Sequence, residues 1–201
     1  MIGVENVPAD PVLRLAMLLH DTGKPLTRTT DEKGEGHYFG HARVSEVIAG
    51  KTADMLRLDN AFRARLTTLV LHHDTPLRTG SGGINTDRSF LLRRLNRFGE
   101  ENLRALFVIH CADRTATGYS TPEREKARLR DRMAALDELL AEHPCFTLKD
   151  LAVNGRDIME AGLSGKAVGE ALQTLLEAVM DGRVPNEKEA LLAYLAGDSH
   201  A

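Results

Sequence analysis

Tryptophan is absent from this 201-residue chain, and phenylalanine and tyrosine together bring the aromatic share to only 4%. So few rings argue against a surface built for stacking bases. Cysteine is equally scarce: Cys111 and Cys145 are the only two, without metal-type spacing. They exclude a disulfide framework and point to a reducing compartment, with both thiols acting as small buried hydrophobes. No stretch approaches the roughly 18 consecutive apolar residues of a membrane span, and the N-terminus lacks a signal peptide's basic start and apolar run. The expectation is a cytoplasmic protein with no membrane partner. Nor does one sign of charge dominate: a net charge of −3 offers no global attraction to nucleic acid, so any RNA contact must rest on a local patch.

What is present is helical periodicity. With 42% hydrophobic residues, the chain can build one sizeable core, or a main domain with a small appendage. Asp10-Pro11 reads as an N-cap with proline at the first helical position, and Val12, Leu15, Leu18 and Leu19 follow at helical spacing up to the Gly23-Lys24-Pro25 breaker. Residues 26–40 are polar and glycine-rich, an exposed loop able to carry function. Val44, Ile48, Met55 and Leu58 sketch the next helix; Phe62, Leu66, Leu69 and Val70 sketch another, closed by Asp74-Thr75-Pro76. Further helices run from about Thr86 to Gly99, through Leu103, Leu106, Phe107 and His110, and through Leu129, Met133, Leu136 and Leu140. No alternating run is long enough for a strand. The expected fold is all-α, with a main region over 1–143 and a small helical tail over 144–201, divided at His143-Pro144-Cys145.

The chemistry gathers on histidines and aspartates. His20 and Asp21 close an apolar helix, where an adjacent imidazole and carboxylate can reach one ion if Gly23 lets the helix unwind. His41 opens the next helix, His72-His73 close another, and Asp113 extends the Leu103, Leu106, His110 stripe onto a buried face. A buried carboxylate needs a cation or a dense hydrogen-bond network. Mixed nitrogen and oxygen donors suit a divalent ion such as Mn, Ni, Fe or Zn, with Mg also a candidate. Lys24 can hold a phosphate as a point charge, and Arg114 can clamp one bidentately.

The ordered set LAMLLHDTGKP, GHYFGHARVSE, LVLHHDTP and HCADRTATG, across residues 11–120, resembles the HD superfamily of metal-dependent phosphohydrolases. That resemblance implies a helical bundle, a bound divalent metal and a phosphate-ester substrate. It carries metal roles onto His20, Asp21 and Asp113, then onto His41, His72 and His73; with the phosphate-holding roles read above for Lys24 and Arg114, the candidate catalytic set is Asp21, Lys24 and Arg114. The family has one more histidine on a preceding helix; the ten residues before Pro11 contain none, so that helix is expected to be missing, with water, His37 or His110 in its ligand's place.

Residues 146–195, with LKDL-NG-D, three spaced glycines (Gly162, Gly165, Gly169) and VPNEKEALL, resemble the C-terminal segment of bacterial CCA-adding tRNA nucleotidyltransferases. That likeness implies tRNA as a partner. The glycines permit close backbone approach, and Lys166 beside a helix N-terminus can receive a phosphate. Between the two regions lies a stretch rich in arginine and lysine, from Arg88 to Arg132, diluted by acids; such mixed charge usually marks a solvated helix face, but Arg93, Arg94 and Arg97 cluster and can track an RNA backbone. A nucleotidyltransferase also needs a strand turn with paired aspartates for two metals. Gly82-Gly83, followed by INTDR, is not that motif, so CCA addition is not expected of this chain alone. The sequence thus supports a metal-dependent phosphohydrolase acting on phosphomonoesters or 2′,3′-cyclic phosphates near RNA ends; the rival readings are a non-catalytic tRNA-binding module and a purely structural fragment.

Overall fold

A computed structural model describes residues 2–75 and 85–198; Pro76 and the Gly82-Gly83 pair lie outside the described residues. Among the described residues the regular structure is helical apart from one two-stranded hairpin, in accord with the all-α reading. It forms two compact units, one from residues 1–84 and 100–133, the other from 85–99 and 134–201. The break in texture at 143–145 falls inside the second unit, which also takes in the 85–99 segment.

In the first unit, α1 (Ile2–Glu5) precedes α2 (Pro11–Leu19). Asp10 caps α2, its carboxylate accepting from the amides of Val12 at 2.8 Å and Leu13 at 3.1 Å, which satisfies two of the four orphan donors at a helix start. After α3 (Lys24–Thr27) comes a hairpin of β1 (Thr29–Thr30) and β2 (Gly36–His37), antiparallel with Thr29 opposite His37. Then follow α4 (His41–Met55) and α5 (Asn60–His72), which pack on each other. The buried face of α4 is Ala42, Ser45, Ala49, Gly50 and Ala53 rather than the expected stripe, and Met55 is 84% exposed. Small side chains let α4 approach its neighbours closely, and this approach, not apolar bulk, sets its orientation.

Gly23 shows the same close approach. Its backbone is ordinary right-handed helix, at φ −79° and ψ −16°, so it does not unwind the helix in the way its sequence position suggested. A Cβ there would stand 2.4 Å from the carbonyl oxygen of His41 and 2.9 Å from the amide nitrogen of Ser45. Only glycine lets α3 lie against α4, and the Gly23 amide donates to the buried Ser45 hydroxyl at 2.8 Å.

Helix α6 (Arg88–Ala116) is broken at Gly99, with φ 72° and ψ 166°, where the sequence pattern also stops. Within the first unit its later half contributes Leu103, Leu106, Phe107 and Ile109, all fully buried. Against them α7 (Pro122–Ala141) brings charge inward. Glu125 and Arg132 are each 1% exposed; Arg114 donates to Glu125 at 3.2 Å, Arg128 donates to the same oxygen, and Arg132 lies over the Phe107 ring. The solvated-face expectation fails for Arg128 and Arg132, which lie on the inner side of α7, and holds for Arg130, which stays exposed.

The second unit carries α8 (Gly155–Glu160), α9 (Lys166–Met180) and α10 (Lys188–Asp198). Asn154 and Asp157 form a reciprocal capping box on α8, so Asn154-Gly155 starts a helix rather than merely breaking the chain. Thr147 and Asp150 close a turn, the Thr147 amide and hydroxyl each donating to Asp150 at 2.8 Å. Gly162, Gly165 and Gly169 have no neighbour within 4 Å of a Cβ position, so they are not sites of close packing. Gly162 and Gly165, at φ 98° and 60°, serve the turn before α9.

Candidate metal centre

Three imidazoles converge, each set by the same local device. His20 caps the end of α2 and its Nδ1 donates to the Met17 carbonyl at 2.8 Å; His41 opens α4 and donates to Tyr38 at 2.9 Å; His73 caps α5 and donates to Val70 at 2.7 Å. In every case the acceptor is the carbonyl three residues earlier. A carbonyl only accepts, so each Nδ1 carries a proton, and Nε2 is the ring atom turned toward the centre. This is the outer bond that orients a metal-ligating histidine.

The Nε2 atoms surround Asp21. His20 Nε2 lies 3.2 Å from Asp21 Oδ2 and 3.3 Å from Asp113 Oδ1; His41 and His73 lie 3.4 and 3.6 Å from Asp21 Oδ1. His41 Nε2 and His73 Nε2 face each other at 3.2 Å. Two acceptor nitrogens so opposed need a positive charge between them, either a proton on one ring or a metal ion. Asp21 Oδ1 is buried with no hydrogen-bond partner, the orphaned acceptor that a cation satisfies. Bonds of about 2.1 Å from one ion put neighbouring donors roughly 3.0–3.4 Å apart, close to the spacing seen. The donor set therefore fits a divalent metal.

The ligand atoms of His20, Asp21 and His73 lie within 4.8 Å of one another, as do those of His41, His73 and Asp74. Asp74 is a residue the sequence reading passed over as part of a helix stop; its adjacency to His73 was the available signal. His72 belongs to neither group, because successive residues at a helix end point about 100° apart. Of the suggested substitutes, His37 bonds Asp31 at 3.0 Å on the hairpin, and His110 is pushed down to about 4 by burial and by Arg132 and Arg114. Lys24 Nζ sits 2.6 Å from Asp21 Oδ2 and over the Tyr38 ring. Arg114, by contrast, is committed to Glu125. A cavity of about 260 Å³ opens beside the centre, lined in part by Met17, His20, Asp21, Asp113 and Thr117.

Burial alone would lower the pKa of His20, but contacts with Asp113 and Asp21 reverse this and raise it to about 9. Without a ligand His20 is thus cationic at neutral pH, whereas a metal needs its Nε2 lone pair. Metal binding near pH 7.5 should therefore expel close to one proton, and affinity should rise about tenfold per pH unit until roughly pH 9. Calorimetry in two buffers of different ionisation enthalpy measures this; zero proton release would remove His20 from the centre.

In the second unit, Arg93 pairs with Asp181, and the Arg94 and Arg97 guanidinium groups lie over the rings of Phe90 and Phe98 at 5.0 and 5.1 Å. Lys166 is paired with Glu170 at 2.9 Å on the surface of α9. Among the described residues no helix is long and apolar enough to cross a membrane.

Comparison with known proteins agrees with this geometry. The tRNA nucleotidyltransferase domain 2 family matches residues 108–195. A CC-adding tRNA nucleotidyltransferase of Thermus thermophilus is 36% identical over 194 residues, covering 94% of this chain and 41% of the relative. An A-adding tRNA nucleotidyltransferase of Deinococcus radiodurans is 33% identical, covering 90% and 41%, and a CCA-adding enzyme of Levilactobacillus brevis is 49% identical over 51 residues, covering 25% and 13%. The chain thus spans about two fifths of the length of the first two relatives. No solved structure gives a match. The HD domain family matches residues 6–118, a span that contains every converging histidine and aspartate, and the chain belongs to that family.

Proposed function

We propose that this chain is a metal-dependent phosphohydrolase acting on phosphomonoesters or 2′,3′-cyclic phosphates at RNA ends. The observation that supports it most is the facing pair His41 Nε2 and His73 Nε2 above the orphaned Asp21 Oδ1. His20, His41, His73 and Asp113 would hold the ion with Asp21, and three imidazoles favour a transition metal over magnesium, which prefers oxygen donors. When bound, such an ion supplies charge neutralisation at a phosphoryl group and activation of water. Asp21 contributes the negative charge that retains the ion. Lys24, bonded to Asp21, provides a cation for a phosphate at the centre. The two free cysteines fit a reducing, cytoplasmic setting. Metal analysis after metal-replete expression, with a 2′,3′-cyclic nucleotide assay, tests the reading: stoichiometric metal and turnover are expected, and metal-free protein would sink it.

A second reading, tRNA binding through the second unit, is favoured by the relatives' names and by Arg94 and Arg97, whose like charges are close enough for Arg97 to depress the Arg94 pKa after burial has done so. Replacing Arg93, Arg94 and Arg97 by alanine should flatten the slope of log tRNA affinity against log salt by about two to three units, if each touches one phosphate. An unchanged slope would return them to an ordinary helix surface.

A further inference from the structure

Nine aromatic side chains are few, but two of them stand together beside the metal centre with a histidine ring. Phe39 is 80% exposed, and its ring stacks on that of His37 at 5.3 Å between centroids and 11° between planes. His37 is held in turn by Asp31 at 3.0 Å, and Asp31 also accepts from the amides of Lys33 and Glu35 at 2.9 Å each, so the hairpin beneath the rings is braced. Tyr38, between them, joins this surface to the centre: its carbonyl accepts from the backbone and ring of His41, and its own ring lies 5.8 Å under Lys24 Nζ. The platform begins two residues from a converging histidine, at most about 7 Å along the chain.

We propose that Phe39 and His37 form the base-binding subsite of this centre, for a nucleotide whose phosphate lies at the histidines. The inference rests on the phosphohydrolase reading and deepens it. A planar π surface next to a cation-binding centre and a lysine matches a ligand that is planar at one end and anionic at the other. A base laid on Phe39 would extend the ring stack by one layer, with His41 two residues further along the chain on the side of its phosphate. The same chemistry comes from a free mononucleotide or from an RNA terminus.

Fluorescence quenching of 2-aminopurine, which responds to stacking, distinguishes these. One probe is the 2-aminopurine ribonucleoside 3′-phosphate, the other an oligoribonucleotide ending in it. Wild-type protein should quench at least one, Phe39→Ala should bind it about tenfold or more weakly, and Phe39→Tyr should retain affinity. Losses for both probes identify a terminal-nucleotide site; a loss confined to the oligonucleotide identifies an RNA end. No quench with wild type, or equal affinity in Phe39→Ala, overturns the subsite. Quenching reports binding without turnover, so an absence of hydrolysis would count against the phosphohydrolase reading alone.

Discussion

Asp21→Ala should reduce metal content from stoichiometric to background and take hydrolysis of any phosphoester with it. Three imidazole nitrogens and Lys24 all lie within 3.6 Å of this one carboxylate, so its loss removes the negative charge that offsets the ion and an oxygen donor at once. Even outer partners of a metal ligand cost 10- to 100-fold in affinity when removed, and a direct donor should cost at least the upper end of that range. Asp21→Asn, which keeps shape and one oxygen but not the charge, should retain a small part of the affinity. Metal analysis and calorimetry on both variants measure the order. Full metal loading in Asp21→Ala would place the ion elsewhere.

Glu125→Ala should be strongly destabilising although it lies away from that centre. The residue is 1% exposed and receives Arg114 and Arg128, whose side chains are 17% and 12% exposed. Removing it leaves buried guanidinium groups without their counter-charge, a loss of about 3–5 kcal/mol for broken buried pairs. Replacing Arg114, Glu125 and Arg128 together by methionine should cost less than Glu125→Ala alone, because no uncompensated charge remains. Chemical denaturation of the three proteins decides it. A loss below about 1 kcal/mol for Glu125→Ala would mean that the pairs are as weak as surface ones.

These two residues also show what the chain discloses unaided. His20, Asp21, His41, His73 and Asp113 stand at helix ends or on an apolar stripe, so one-dimensional periodicity already assigned their faces, and the structure brings them together. Glu125, Arg128 and Arg132 sit in a run of alternating charge, and nothing in such a run says which members turn inward; that depends on what faces them across the interface, such as Phe107 beneath Arg132. Gly23 was legible as a break but not as a contact, since the close approach of His41 and Ser45 is set by a helix eighteen residues away. The hairpin escaped notice because two-residue strands have no period to detect, and the aromatic count could not reveal that Tyr38 and Phe39 lie beside His37.

The three rings bonded to the carbonyl three residues earlier carry a consequence for the entropy of binding. Each imidazole is immobilised by its own helix end during folding, so an arriving ligand has little rotamer freedom left to quench, and the ordering cost falls on folding instead of on association. An asparagine at 20, 41 or 73 could keep the carbonyl bond through its amide while taking the imidazole nitrogen away from the centre. Such a substitution would separate two thermodynamic roles that histidine combines: the enthalpy of the donated bond would remain with the fold, and only the affinity for the ion would be lost.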